Sequence, residues 1–490
     1  MVLPRRSRSR LRGGIYLQRI RTKYIIYTIF FGFLILWVLG MFSFVFHYSA
    51  SSTGDAQDLS LRGKNEFSKM EGTTKSKIPS DREQNEWINV RKTKPKFPSD
   101  RGPNESIKRE GIRSKLPIDL QPYRSPLIIF TYNRPDYLHR SLTEIYENIP
   151  QSCVIGCPVI ISQDGDVQNV TDVIKGFQKR HRIIPTIHLK HKHQVEIPDL
   201  DLENDNDLAD YIPDLAMLGY KALAQHYHWG LETVFSGIEN YPRPERLIVL
   251  EEDLLISHDF FDYFAHMAPY LDKDESLLAV SAFNDNGKNG LVKDSTRVLR
   301  SDFFPGLGWM ITQNLWSSEL SAKWPDQYWD DWLREPDQRK GRQTLRPEVS
   351  RTYHFGVIGT SENQFGDTLS AIYLNEENVD WSKIDLSYLE KSAFEASYLS
   401  LISKAQPANE IGNALTLCKN GDVRLEYSST ERFSQIAELL GIMDDEKSGI
   451  LRTAYRGIVE IRPYGGYILF LVQSMEEIET KIIQSLNLLQ

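Results

Sequence analysis

Four short apolar runs, each ending in polar residues, set the tightest limit on how this chain can fold: PLIIFTYNRPDYL, VIISQDGD, RIIPTIHLKH and RLIVLEED. Between them lie segments with helical spacing: SLTEIYENI, VIKGFQKRHRI and LAMLGYKALAQHYHWGLETVF. The last of these sets Leu218, Ala222, His226 and Trp229 at helical intervals on one face. Short strands alternating with helices predict an α/β domain with a largely parallel sheet. In such sheets ligands bind beyond the carboxyl ends of the strands. Residues 131–134, 164–166 and 251–253 all fall at that edge, the placement a nucleotide site requires.

The fourth run reads LIVLEEDLLI, with Glu251, Glu252 and Asp253 side by side between segments that both favour burial. Adjacent carboxylates repel, and burying them is costly without compensation. The triplet is therefore either a solvated turn or the seat of a cation. Hard oxygen ligands suit Mn²⁺ or Mg²⁺, and no thiol or histidine cluster suggests zinc. A second carboxylate pair lies in WDDW, residues 329–332. Set between indole rings, it is a candidate general base, because a water-poor wall raises carboxylate basicity. The plainer alternative makes Asp330 or Asp331 a helix N-cap.

The N-terminal region is organised differently. Residues 1–23 carry eight basic side chains and no acidic one, so the net charge of −8 leaves the rest near −16. That balance excludes the basic footprint of a nucleic-acid-binding protein. Residues 24–46 are 23 positions without a formal charge, about 35 Å of helix, enough to span a bilayer. The run is longer than a typical signal-peptide core. The expectation is a signal-anchor helix with a cytoplasmic basic tail and everything after it lumenal. Residues 47–122 are rich in Ser, Lys, Asp, Glu, Pro and Gly, the composition of a disordered stem. Asn104 and Asn169 begin glycosylation sequons. Cys153, Cys157 and Cys418 leave at least one thiol unpaired; Cys153 and Cys157 could bridge.

The blocks VLEEDLLISHDFFDYF, SAFNDNGK, DFFPGLGWM, KWPDQYWDDWLREPDQRKGR and RPEVSRTYHFG, with GIMDDEKSGILRTAYRGIVEIR near the C-terminus, resemble the N-acetylglucosaminyltransferase I family. The resemblance covers about residues 125–475. It implies a GT-A-type nucleotide-sugar-binding domain, a mostly parallel sheet flanked by helices, at 123–356. A mobile lid at 357–368 and a smaller C-terminal α/β domain at 385–490 would follow. The implied activity is inverting, metal-dependent transfer of N-acetylglucosamine from UDP-GlcNAc, in β-1,2 linkage, to a terminal α-1,3-mannose of a high-mannose N-glycan. The implied location is the Golgi membrane, single-pass type II.

Residue by residue, the resemblance makes Asp253 the metal ligand and Asp330 the base. Glu251 would face the donor sugar, Glu252 the ribose, and Trp329 would lay its ring against the sugar. Arg134 and Asp164 match uridine contacts, His226 a phosphate contact, and Ser361 a position in the lid. Read locally, a single histidine on a mostly apolar helix face such as His226 is more often a satisfied core residue, and the alternative for the loop around Ser361 is a plain surface loop. Two departures stand out: the family's N-glycan branch usually reads Glu-Asp-Asp at the triplet, and its lid is more basic. The triplet and SRTYHFGVIG are nearer the O-linked-mannose β-1,2-N-acetylglucosaminyltransferase, whereas WDDW and MDDEKSG favour the N-glycan enzyme. A catalytically inactive glycan-binding relative is the third reading.

Overall fold

The computed structural model describes residues 125–153, 157–193, 208–357, 359, 365–475 and 480. All lie in one compact unit, Arg101–Gln490. The basic tail, the apolar run at 24–46, the stem with Asn104, and Ser361 lie outside the described residues. Among the described residues no helix is long and apolar enough to cross a membrane.

The apolar runs become strands. β1 (Leu127–Thr131), β2 (Val159–Asp164), β3 (Thr186–His191) and β4 (Arg246–Glu251) pair in parallel, in the order β3-β2-β1-β4. β1 and β2 are buried along their whole length, as expected where helices cover both faces of a sheet. The side chains alternate accordingly. Leu127 and Ile129 enter one core, with Leu138, Leu142 and Ile145 of helix α1 (Pro135–Asn148). Ile128 and Phe130 enter the other, with Tyr227, Leu231 and Val234 of α3 (Leu208–Ser236). α2 (Gln168–Arg180) adds Val170, Ile174 and Phe177 to the first core. Burying one such aliphatic side chain contributes about 1.5–3 kcal/mol, so the alternation fixes the register. The approach of α3 is close: a Cβ on Gly230 would lie 2.6 Å from the Phe130 ring.

Beyond β4 the sheet is less parallel than the sequence suggests. It continues through β8 (Trp309–Thr312), β6 (Leu277–Ser281), β9 (Gln343–Pro347) and β7 (Val298–Ser301). Of the seven pairings, β4–β8, β8–β6 and β7–β9 are antiparallel. α4 (Phe260–Lys273) precedes β6. A separate antiparallel pair joins β5 (Leu254–Ile256) to β10 (Thr352–His354), setting His354 opposite Leu254.

A second sheet follows α6 (Lys391–Lys404), in the order β11 (Gln406–Ala408), β12 (Val423–Glu426), β16 (Leu469–Val472), β15 (Val459–Ile461). Leu469 and Leu471 pack on α7 (Ile411–Leu417) and α8 (Thr430–Leu440). Phe470 and Val472 instead share the core of the first sheet, through Phe394, Tyr398 and Ile402 of α6. Buried charges also tie the sheets: Arg297 donates to Glu460 and Glu348, and Arg462 Nε donates to Glu348 at 2.8 Å. Cys153 and Cys157 form a disulfide, and Cys418 is a buried free thiol.

Candidate active site

Between β1 and β4 the chain order reverses: β1 is followed by strands on one side, and β4 lies on the other. A crevice opens at such a point, and both bordering strands end there in functional groups. The acid triplet is not a solvated turn, because Glu252 and Asp253 are 2% and 3% exposed. Arg134 is shared by Glu252 and Asp253, and each carboxylate has further partners of its own. Glu252 accepts from the Thr131 hydroxyl, from the Tyr132 backbone N–H at 3.2 Å and from Arg134 Nε at 2.6 Å. Both of its oxygens thus hold the β1–α1 turn. Asp253 Oδ2 lies 2.9 Å from Arg134 Nη1 and 3.4 Å from His354 Nε2. Glu251 accepts from the Tyr227 hydroxyl at 2.7 Å. From α1, the Ser141 hydroxyl donates to the carbonyls of Glu252 and Leu254, fixing the bend.

The electrostatics follow from burial and from these partners. Burial, then the charge of Asp253, pushes the Glu251 carboxyl up against the Tyr227 bond. Burial also raises Glu252, opposed by Arg134 and Thr131. At Asp253 burial is outweighed by His354 and Arg134, and the carboxyl is held down.

One oxygen remains unanswered. Asp253 Oδ1 is buried without a hydrogen-bond partner. The loop backbone packs closely on this carboxylate, which only a glycine at 356 allows; a Cβ there would sit 2.6 Å from Oδ2. An unpaired buried carboxylate oxygen is a fitting seat for a hard divalent cation. Among the described residues there is no group of three or more His, Cys, Asp or Glu side chains able to hold a metal.

The second pair of acids sits on α5 (Trp329–Arg334). This helix starts after Tyr328, whose φ of 50° is left-handed, and no side chain caps it. Asp330 and Asp331 occupy the first turn, not the cap. The expected dry setting is not found either. Asp330 is 40% exposed and accepts from Arg334 Nη1 at 2.7 Å. Trp329 is 4% exposed, stacked on Tyr227 at 4.5 Å and on Trp309 at 5.5 Å. Tyr227 therefore joins the two acid groups: its hydroxyl binds Glu251 and its ring supports the helix that carries Asp330. Burial, followed by the charges of Glu251, Asp253 and Asp330, pushes its phenol far up.

Asp164 and His226 lie in an adjoining cluster at the ends of β2 and β3. Asp164 is paired with His191 Nδ1 at 2.7 Å and His193 Nδ1 at 2.6 Å. Burial opposes its ionisation, but these bonds and the nearby rings win, and its pKa is lowered. His226 is buried, bonded to Ser162 Oγ at 2.8 Å and edge-on to Phe130. Burial first, then His191 and His193, lower its pKa to about 3 against the pull of Asp164. A neutral ring can meet a phosphate only through a hydrogen bond, not through charge. Phe130 also stacks on Tyr227 at 4.0 Å, so the two clusters adjoin. His193 stacks on Tyr132 at 5.3 Å.

Sequence reasoning missed Tyr227, His354, Arg334, His191 and His193. Tyr227 sits one residue after a position that was flagged, and HLKHKH repeats histidine every second or third residue. In the basic RKGR stretch, Lys340 and Arg342 pair with Glu319. The turn at 304–309 is packed, with Phe304 and Trp309 fully buried.

A family model described as the GNT-I family matches residues 32–482. The Arabidopsis thaliana protein named alpha-1,3-mannosyl-glycoprotein 2-beta-N-acetylglucosaminyltransferase is 37% identical over 353 residues, 71% of this chain and 73% of that protein. Solved structures lie further away. The Pyrobaculum calidifontis mannosyltransferase PcManGT, in complex with GDP-Man and Mn²⁺, gives a TM-score of 0.30 at 13% identity, covering 46% of this chain and 54% of that chain. S. aureus TarS 1–349 with UDP-GlcNAc gives 0.31 at 11% identity, covering 60% and 71%. Superpositions that loose say nothing of function.

Proposed function

The chain belongs to the GNT-I family and is an N-acetylglucosaminyltransferase; on that premise, we propose that it moves N-acetylglucosamine from UDP-GlcNAc to the 2-hydroxyl of a terminal α-1,3-mannose on a glycoprotein N-glycan. The product is β-1,2-linked and the reaction inverts the anomeric carbon. The observation that carries this reading is the bridge from Glu251 through Tyr227 to Trp329, which sets a buried carboxylate site beside an exposed one. The buried site suits a donor diphosphate and the exposed one an incoming hydroxyl.

In this mechanism Asp330 accepts the proton of the acceptor hydroxyl as its oxygen attacks the anomeric carbon. Arg334 holds the Asp330 carboxylate through the bond to Oδ2. Arg134 and Glu252 fix the β1–α1 turn against which the nucleoside lies, with Asp164 on its base side. Asp253 would hold Mn²⁺ or Mg²⁺, which when bound offsets the charge of the departing diphosphate. Gly356 keeps the loop backbone close to that carboxylate. The loop at 357–368, with Ser361, acts as a lid that excludes water from the activated sugar. The apolar run at 24–46 anchors the protein in the Golgi membrane with the catalytic unit in the lumen.

The test is transfer by the purified protein to a five-mannose N-glycan and, beside it, to an O-mannosyl peptide, with the linkage read by NMR. Transfer to the N-glycan with a β-1,2 product supports the reading. Transfer to the peptide alone replaces it with the O-mannose activity, and absence of transfer to either makes the chain a binding relative. Asp330→Asn separates the roles further: UDP affinity stays within about twofold while transfer falls by about three orders of magnitude.

A further inference from the structure

Asp331 has no part in the mechanism above, yet a separate two-stranded hairpin from the C-terminal part of the chain reaches it. The hairpin of β13 (Glu446–Lys447) and β14 (Ile450–Leu451) turns on Ser448 and Gly449, at φ 52° and 75°. Two successive left-handed residues make the tight two-residue turn. The hairpin brings Lys447 Nζ to 3.0 Å from Asp331 Oδ2. Its base is pinned by Arg452, which donates to Asp445 and, from Nη1, to Asp285 at 2.7 Å. The Arg452 guanidinium lies over Phe303, the same ring that Arg334 covers. On the other side, Arg334 Nη1 donates to Asp331 Oδ1 at 2.8 Å and to Asp330 Oδ2 at 2.7 Å.

These groups are not a buried strut. Asp330, Asp331 and Lys447 are 40%, 41% and 37% exposed. An ion pair that open contributes little to stability, so holding the fold together does not account for a hairpin of another sheet placed here. The charges remain open to a polar ligand. An ammonium has three donors and the carboxylate about four acceptor sites, so each keeps capacity after the mutual bond.

We propose that Asp331 and Lys447 form the acceptor subsite, binding the sugar hydroxyl next to the one that Asp330 deprotonates. This rests on the assignment of Asp330 to the acceptor hydroxyl. Because Asp330 Oδ2 and Asp331 Oδ1 share one donor nitrogen, they are no further apart than two hydrogen bonds end to end, about the width of a pyranose ring. Adjacent hydroxyls of one sugar span that gap. A hydroxyl both donates and accepts, so it satisfies the carboxylate and the ammonium together. For a mannose that attacks through O2, the group read is the 3-hydroxyl. A hairpin from outside the nucleotide-binding sheet thereby selects which sugar can present its hydroxyl to the base.

The experiment varies the acceptor at saturating UDP-GlcNAc, using a synthetic α-1,3/α-1,6-linked trimannoside and its analogue deoxygenated at O3 of the terminal α-1,3-mannose. Asp331→Asn and Lys447→Gln each raise the trimannoside KM about tenfold, while UDP affinity by calorimetry and the melting temperature stay at parental values. Lys447→Arg restores part of the loss. On the deoxy analogue the parental enzyme and both variants converge, because the group they read is gone. An unchanged KM, an equal loss of UDP affinity, or the same penalty on the deoxy analogue overturns the subsite. A parental protein that transfers to neither compound removes the underlying assignment instead, so the two failures are distinct.

Discussion

The Tyr227 hydroxyl donates to Glu251 at 2.7 Å, and this single bond couples the end of β4 to the aromatic stack under Asp330. Tyr227→Phe keeps the ring but strips the half-buried Glu251 carboxylate of its donor, at a cost of about 1–3 kcal/mol. The expected result is a lower denaturation midpoint and weaker UDP binding, seen by urea titration and calorimetry. Tyr227→Ala also removes the stack on Phe130 and Trp329 and costs about 3–5 kcal/mol.

Gly356 tests the clearance around Asp253. A Cβ placed 2.6 Å from Oδ2 forces the carboxylate or the loop to move. Gly356→Ala is expected to fold with a near-parental melting temperature. Its Mn²⁺-supported affinity for UDP falls at least about tenfold, the scale expected when a metal ligand is displaced.

The junction of the two sheets is a stability prediction. Buried Glu460 accepts from the largely covered Arg297. Removing Glu460 leaves Arg297 with Glu348 alone, so Glu460→Ala lowers the unfolding free energy by about 1.5–3 kcal/mol, the scale of hydrogen bonds to a charged group. Equilibrium denaturation monitored by tryptophan fluorescence measures it.

The pH dependence of stability isolates His226. Its native pKa of about 3 lies below the ordinary 6.5, because burial disfavours the charged ring. Below pH 6.5 the unfolded chain therefore binds a proton that the native state does not. Stability from this group is complete above 6.5 and is lost as pH falls towards 3, at a slope approaching about 1.4 kcal/mol per pH unit. Between pH 7 and 5 the loss is about 2 kcal/mol, and His226→Asn flattens that part of the profile relative to the parent.

The parallel half of the fold was legible because its strands are buried on both faces and read as unbroken apolar runs. RLIVLEED also announced its own chemistry, since an acid triplet between core segments demands compensation. Sequence could not show who supplies it: Arg134 is about 120 residues away along the chain, and His354 arrives by an antiparallel pairing with β5. The antiparallel strands β7 and β8 are short and their order depends on tertiary packing, so periodicity does not reveal them. WDDW was legible as two acids but not as two different environments. Asp331 gains its partner from a hairpin more than a hundred residues downstream. Local pattern reports which groups are available, and topology decides which of them meet.

The central claim is that Asp253 grips the donor diphosphate through a divalent cation, and calorimetric titration of UDP tests it most directly. Parental protein should bind UDP in Mn²⁺ and lose at least about tenfold in affinity with chelator, whereas Asp253→Asn should bind weakly in both buffers. Mn²⁺-enhanced UDP binding that survives in Asp253→Asn would contradict the account.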